Sequence, residues 1–147
     1  PPAPKLFRQR TSYVFFALRD FRDGRRESPI MGPVVKGISD QDLRDIATFI
    51  SGDLLDKPPK ANAKDPFYPQ THRTCTWCHG ETGIGELEGM PVLTGQDPAY
   101  LQTALEEYRK GIRHDPTMRE IAATLTPEEE KGLAAYFGSY KWLEKSQ

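Results

Sequence analysis

Residues Cys75-Thr76-Trp77-Cys78-His79 constrain this chain more than any other stretch. On a short helical turn, positions i and i+3 lie on one side, so both thiols can reach the two vinyl groups of one porphyrin. The residue that follows can then swing its imidazole under the iron, which is the pattern of c-type haem attachment. Other readings compete. A zinc site needs four ligands, with His72 or His114 as the candidate fourth, but adjacent Cys78 and His79 suit a tetrahedral centre poorly. A thioredoxin-type pair needs a βαβ setting, and nothing here reads as a strand pair. A five-residue pattern can also arise by chance. These are the only two cysteines, and a pair so close does not staple a fold, so a secreted disulfide scaffold is excluded.

The residues downstream fall in a recognisable order. Gly80, Gly83 and Gly85 follow the motif, then Pro91-Val92-Leu93-Thr94-Gly95-Gln96, then Tyr100-Leu101 opening a helix. Tyr108-Arg109-Lys110-Gly111, Asp115-Pro116-Thr117-Met118 and Leu133-Ala134-Ala135-Tyr136-Phe137 complete the series. From about Arg73 to Tyr140 the chain closely resembles the small class I bacterial cytochromes c. It is most similar to dihaem c4-type cytochromes and to the cytochrome subunit of flavocytochrome c sulfide dehydrogenase. That resemblance implies an all-α fold, covalent haem c on Cys75 and Cys78, and His79 as the proximal iron ligand. The carbonyl of Pro91 would accept the Nδ1–H of His79, fixing its tautomer and ring plane. Met118 would be the distal ligand, in the loop between the last two helices, with Met90 as its competitor. His/Met ligation raises the reduction potential and leaves no open position for substrate, which implies an electron carrier and not an enzyme.

Laid on itself with a shift of 87 residues, the chain matches without a gap. Pro4, Leu6, Gln9 and Tyr13 fall on Pro91, Leu93, Gln96 and Tyr100; Arg22, Gly24 and Arg26 fall on Arg109, Gly111 and Arg113; Pro29 and Met31 fall on Pro116 and Met118. Internal duplication accounts for this. Residues 1–56 are then a partial cytochrome c-like repeat lacking C-x-x-C-H, and residues 57–72, with Pro58, Pro59, Pro66 and Pro69, a stiff linker. Residues 73–147 form the haem-binding domain. Because the chain opens on Pro1, it is expected to be a processed or truncated product. Either the native protein is dihaem, with Met31 a ligand of a first haem this chain does not attach, or the first repeat has lost its haem and Met31 is a core methionine. Phe15 and Phe16 stand where the second repeat has Gln102 and Thr103, so that face is expected either to meet the second domain or a partner, or to pack within its own half.

Helices are expected over about Ser12–Asp23, Asp40–Ser51 (capped by Ser39), Cys75–His79 and Pro98–Lys110. The last begins at the capping box Thr126-Pro127-Glu128-Glu129 and runs to about Tyr140. His72 and His114 are expected in solvent, the alternatives being tuning of the haem or adventitious metal binding. Arg109 and Arg113 are expected at a solvated helix end, the alternative being approach to a haem propionate. Trp77 is expected at the surface or in an inter-domain contact. The composition, 37% hydrophobic and 28% charged, is that of a globular chain. A net charge of −1 points to no nucleic-acid partner, and the longest apolar run, Tyr13 to Leu18, is far short of a bilayer span. Two functions remain open. One is a carrier between a redox donor and acceptor in a bacterial periplasmic chain. The other is a tightly bound cytochrome subunit of a larger oxidoreductase, with a flavoprotein or membrane partner.

Overall fold

The computed structural model describes residues 2–51, 72–85, 87 and 89–142. Among these, the regular structure is helical, with one isolated antiparallel bridge between Arg26 and Arg113. Helices α1 (Thr11–Arg22), α2 (Met31–Val35) and α3 (Asp40–Ser51) form a first bundle. Its core is Val14, Phe15, Val35, Leu43 and Ala47, with Leu18, Phe21, Met31 and Ile38 packed against it. Helices α4 (His72–His79), α5 (Pro98–Arg109), α6 (Pro116–Thr124) and α7 (Pro127–Ser139) form a second.

Local chemistry sets the starts of the second bundle's helices. Each of α5, α6 and α7 has proline at its first position, where its fixed φ suits the turn and its missing N–H is not needed. The residue before it caps. Asp97 accepts from the Ala99 and Tyr100 N–H groups, Asp115 from Met118, and Thr126 with Glu129 forms a reciprocal capping box. Ser39 caps α3 through the Asp42 N–H, 3.1 Å away.

Helices α2 and α6 were not expected. Met118 is expected in a loop, but Asp115 and Pro116 start a helix there, and Met118 sits in its first turn. The expected linker, 57–72, lies outside the described residues except for His72, which begins α4.

The 87-residue shift carries α1 onto α5 end for end, and the first residue of α3 onto that of α7. It also governs how the bundles meet. Gln9 bonds the backbone of Val92 on both sides: its Nε2 donates to the Val92 carbonyl at 2.6 Å and its Oε1 accepts the Val92 N–H at 2.9 Å. Gln96 does the same to Lys5, at 3.0 and 2.8 Å. Lys5 is the counterpart of Val92 as Gln9 is of Gln96, so the two clamps answer each other as across a two-fold axis. The bridge pairs Arg26 with its own counterpart, Arg113. Beside it lies half-buried Tyr13, near Tyr100, Tyr108 and both arginines; loss of water around it pushes its phenol above the ordinary value, so it stays neutral.

Phe15 and Phe16 divide between the two alternatives. Phe15 is buried in the first bundle's own core, while the ring of Phe16 lies against Gly89 in the loop of the second. The Arg19 guanidinium covers both rings. Another departure is Arg8, which stands where the second repeat has Gly95 and shares its left-handed backbone, φ 69° against 66°. At Gly95 a side chain has no room, because a Cβ would stand 2.9 Å from the Tyr140 carbonyl. Arg8 instead lays its guanidinium between the rings of Phe7 and Trp142, contacts that offset part of the strain.

Candidate haem site

Helix α4 presents both cysteines as free, half-buried thiols one turn apart. Cys75 packs against the cluster of Leu101, Ala134, Tyr136, Phe137 and Tyr140, and burial pushes its thiol up to about 11. At neutral pH this sulfur is therefore the protonated thiol.

His79 closes the helix and is buried. Its Nδ1 lies 3.3 Å from the carbonyl oxygen of Pro91. A carbonyl can only accept, so Nδ1 carries the proton and Nε2 keeps its lone pair for a metal. Burial lowers the His79 pKa, with the Pro91 carbonyl and Asp115 acting the other way; the neutral imidazole is the form that ligates. Asp115, whose charge acts on His79, is the cap of α6, and half-buried Met118 lies in the first turn of that helix. Met90 is also half-buried and stands next to Pro91, on the histidine side. Met31 is at the start of α2 and packs on the first bundle's core. Residues 1–56 contain no cysteine or histidine.

The loop after His79 folds tightly back. Gly83 donates to the Gly80 carbonyl at 3.0 Å and accepts from Leu93 at 2.7 Å, Thr94 Oγ1 reaches the Thr82 carbonyl, and the Tyr136 hydroxyl donates to the Glu81 carbonyl at 2.9 Å. Two thiols one helical turn apart and an oriented neutral imidazole directly after them form a donor set that fits haem c. Among the described residues, no three of His, Cys, Asp and Glu group as a metal site, so the zinc reading gains nothing.

Three expectations about solvent exposure fail here. His72 is only 4% exposed; its ring meets the edge of Tyr136 at 4.5 Å and stacks near Phe137, with Glu81 at 4.0 Å. Arg113 is 5% exposed, because Tyr100, Tyr108 and Glu107 enclose it. Arg109, likewise, is half-buried and pairs with Glu130. His114 is exposed, as expected, and so is Trp77, at 90%. Phe49 is 90% exposed while its counterpart Tyr136 is buried against His72, so the two bundles differ where α4 sits.

Burial lowers the pKa of His72, opposed by Glu81. The unfolded chain then takes up this proton first as pH falls below about 6.5, and the fold loses stability from there downward. His72→Gln is expected to narrow the difference between urea midpoints measured at about pH 7 and about pH 5. An unchanged difference refutes the assignment.

No family profile matches the chain. A cytochrome c4 of Stutzerimonas stutzeri is 30% identical to it over 159 residues, covering 92% of this chain and 76% of the relative. The thiosulfate dehydrogenase electron acceptor of Stutzerimonas stutzeri strain A1501 is 29% identical, covering 98% and 74%. Among solved structures, reduced recombinant cytochrome c4 from Pseudomonas stutzeri superposes with a TM-score of 0.76 at 29% identity, covering 95% of this chain and 87% of the other.

Proposed function

Since the chain belongs to the cytochrome c4 family, we propose that it relays single electrons through one haem c attached at Cys75 and Cys78, with His79 and Met118 as the axial ligands. Electron transfer through haem c, not catalysis, is the function that this membership carries. When bound, the haem supplies a one-electron ferric–ferrous couple. Cys75 and Cys78 hold it by thioether bonds, His79 offers Nε2 while Pro91 holds its ring plane, and Met118 offers a sulfur that favours the ferrous state. The observation that carries this reading is the His79 Nδ1 to Pro91 contact, 3.3 Å, directly after two thiols one helical turn apart.

The ligand assignment has a direct test. Met118→Ala is expected to abolish the methionine-to-iron charge-transfer band of the ferric protein, while Met90→Ala keeps it. The reverse pattern overturns the assignment.

Residues 1–56 are a cytochrome-like unit without its own attachment motif, and residues 73–147 the haem unit. The match of α1 with α5 and of α3 with α7 supports this division. Met31 holds the position equivalent to Met118, and its contacts are with the core around Leu43. The working compartment is the bacterial periplasm, where covalent haem attachment takes place; no described helix is long and apolar enough to cross a membrane.

A second reading, an electron-accepting subunit bound to a dehydrogenase, is favoured by the thiosulfate dehydrogenase electron acceptor matched over nearly the whole chain. Trp77, exposed between the two cysteines, offers such a partner an aromatic contact. Co-elution of the native protein with a dehydrogenase supports this reading, and elution alone supports the free carrier.

A further inference from the structure

We infer that Gln9, a residue of the first bundle, is a positioning residue that sets the electron-donating strength of His79 in the second. The inference rests on the proposed ligation by His79. The Pro91 carbonyl and the Val92 N–H are the two ends of one peptide group. His79 donates its Nδ1–H into the oxygen end, at 3.3 Å, and the nitrogen end donates to Gln9 Oε1, at 2.9 Å. A peptide whose N–H is taken by an acceptor is polarised, and its carbonyl becomes a better acceptor in turn. The stronger that carbonyl, the more imidazolate character His79 gains, the more density it gives to iron, and the more the ferric state is favoured.

The geometry holds Gln9 to this task. Its Nε2 donates to the Val92 carbonyl at 2.6 Å, so the side-chain amide cannot turn away without losing both bonds. The same two bonds fix which end is oxygen, because an N–H must meet an acceptor and a carbonyl must meet a donor. Gln9 is 5% exposed and Val92 is buried, so water does not screen the relay.

The chain contains its own control. Gln96 clamps the Pro4–Lys5 peptide with the same two bonds, at 2.8 and 3.0 Å. No histidine lies in residues 1–56 to bond the Pro4 carbonyl. Two clamps of one shape thus join the bundles, and only the one made by Gln9 leads to the ligand. A role in holding the bundles together belongs to both glutamines; an effect on the iron held by His79 belongs to Gln9 alone.

The test compares the holoprotein with its Gln9→Met and Gln96→Met variants, which keep side-chain length and remove the amide. Gln9→Met is expected to raise the reduction potential, shifting the ferrous-to-ferric ratio at a fixed ambient potential by about threefold, or about 30 mV for one electron. The His79 Nδ1–H proton resonance of the ferrous protein should move upfield. Gln96→Met should leave both unchanged while lowering the denaturation midpoint. Gln9→Glu, which keeps an oxygen toward the Val92 N–H, should return the potential to the parent value or below it. If Gln9→Met does not accumulate, Gln9→Asn, too short to reach the peptide, carries the same expectation. Equal shifts in Gln9→Met and Gln96→Met, or no movement of either readout in Gln9→Met, overturn the inference. A parent protein whose spectrum lacks His/Met coordination overturns the ligation reading and this inference together. An intact spectrum with an unmoved potential overturns the inference alone.

Discussion

Replacing Gly83 by alanine is expected to lower the unfolding free energy by about 3 kcal/mol, the sum of a left-handed backbone penalty and an overpacked contact. Gly83 has φ +83°, and a Cβ built there stands 2.7 Å from Cδ1 of Phe137 and 3.0 Å from Cβ of Leu93. The Phe137 ring cannot yield easily, because Tyr136 meets it edge-on at 5.0 Å and it belongs to the cluster that receives Cys75. The Leu93 backbone cannot yield without breaking its bond to the Gly83 carbonyl. Leu93 is two residues from Pro91, so the strain falls on the segment that orients His79. A denaturant titration checks the stability. Gly24→Ala is the comparison, since Gly24 has φ +74° but nothing within 4 Å of its Cβ; it should lose only the backbone part, about 1 kcal/mol. Equal losses at the two sites would show that packing around Gly83 contributes nothing.

Arg113→Met is expected to cost about 3 kcal/mol as well, for a different reason. The Arg113 guanidinium donates to Glu107 Oε2 at 2.5 Å and to the Tyr100 hydroxyl at 3.0 Å, and lies over the rings of Tyr100 and Tyr108. Methionine fills similar volume but leaves Glu107 with only Arg26, 3.4 Å away, and leaves the Tyr100 hydroxyl without its donor. Since Arg113 bridges to Arg26 across the meeting of the bundles, the loss should be shared by both halves. Hydrogen exchange should therefore rise in α1 as well as in α5. The double change Arg113→Met with Glu107→Gln should recover part of the stability, because the stranded charge is removed. Exchange confined to α5, or no recovery in the double variant, counts against a shared buried network.

What could be read from the sequence was local. The haem helix follows from five consecutive residues, and α5 and α7 from a proline with a cap before it and an apolar face behind it. The same signal, Asp115-Pro116, also opens α6, so Met118, expected in a loop, lies in a first helical turn. The burial of His72 leaves no local signal, because Tyr136 and Phe137 stand more than sixty residues after it. Arg113 is enclosed by Tyr100, Tyr108 and Glu107 of the preceding helix and bridges to Arg26 of the first bundle. A signal did exist for Arg113, since its counterpart Arg26 also follows an aromatic residue by five positions, Phe21 there and Tyr108 here. The equivalence of Gln9 and Gln96 was visible as well. That each grips the other's counterpart backbone is a property of the assembled pair, and no periodicity encodes it.

The Gln9–Val92 clamp also runs in the opposite direction. Free energies of coupling are symmetric, so if the seating of α1–α3 alters the balance between ferric and ferrous iron, the arrival of an electron alters the seating of α1–α3 by the same amount. An imidazole that gives less to ferrous iron keeps its proton closer and pulls less on Pro91, and the Val92 N–H is offered less strongly to Gln9. On that inference the halves of the reduced chain would be held less firmly, and a partner that engages both halves at once would distinguish a loaded carrier from an empty one without touching the iron.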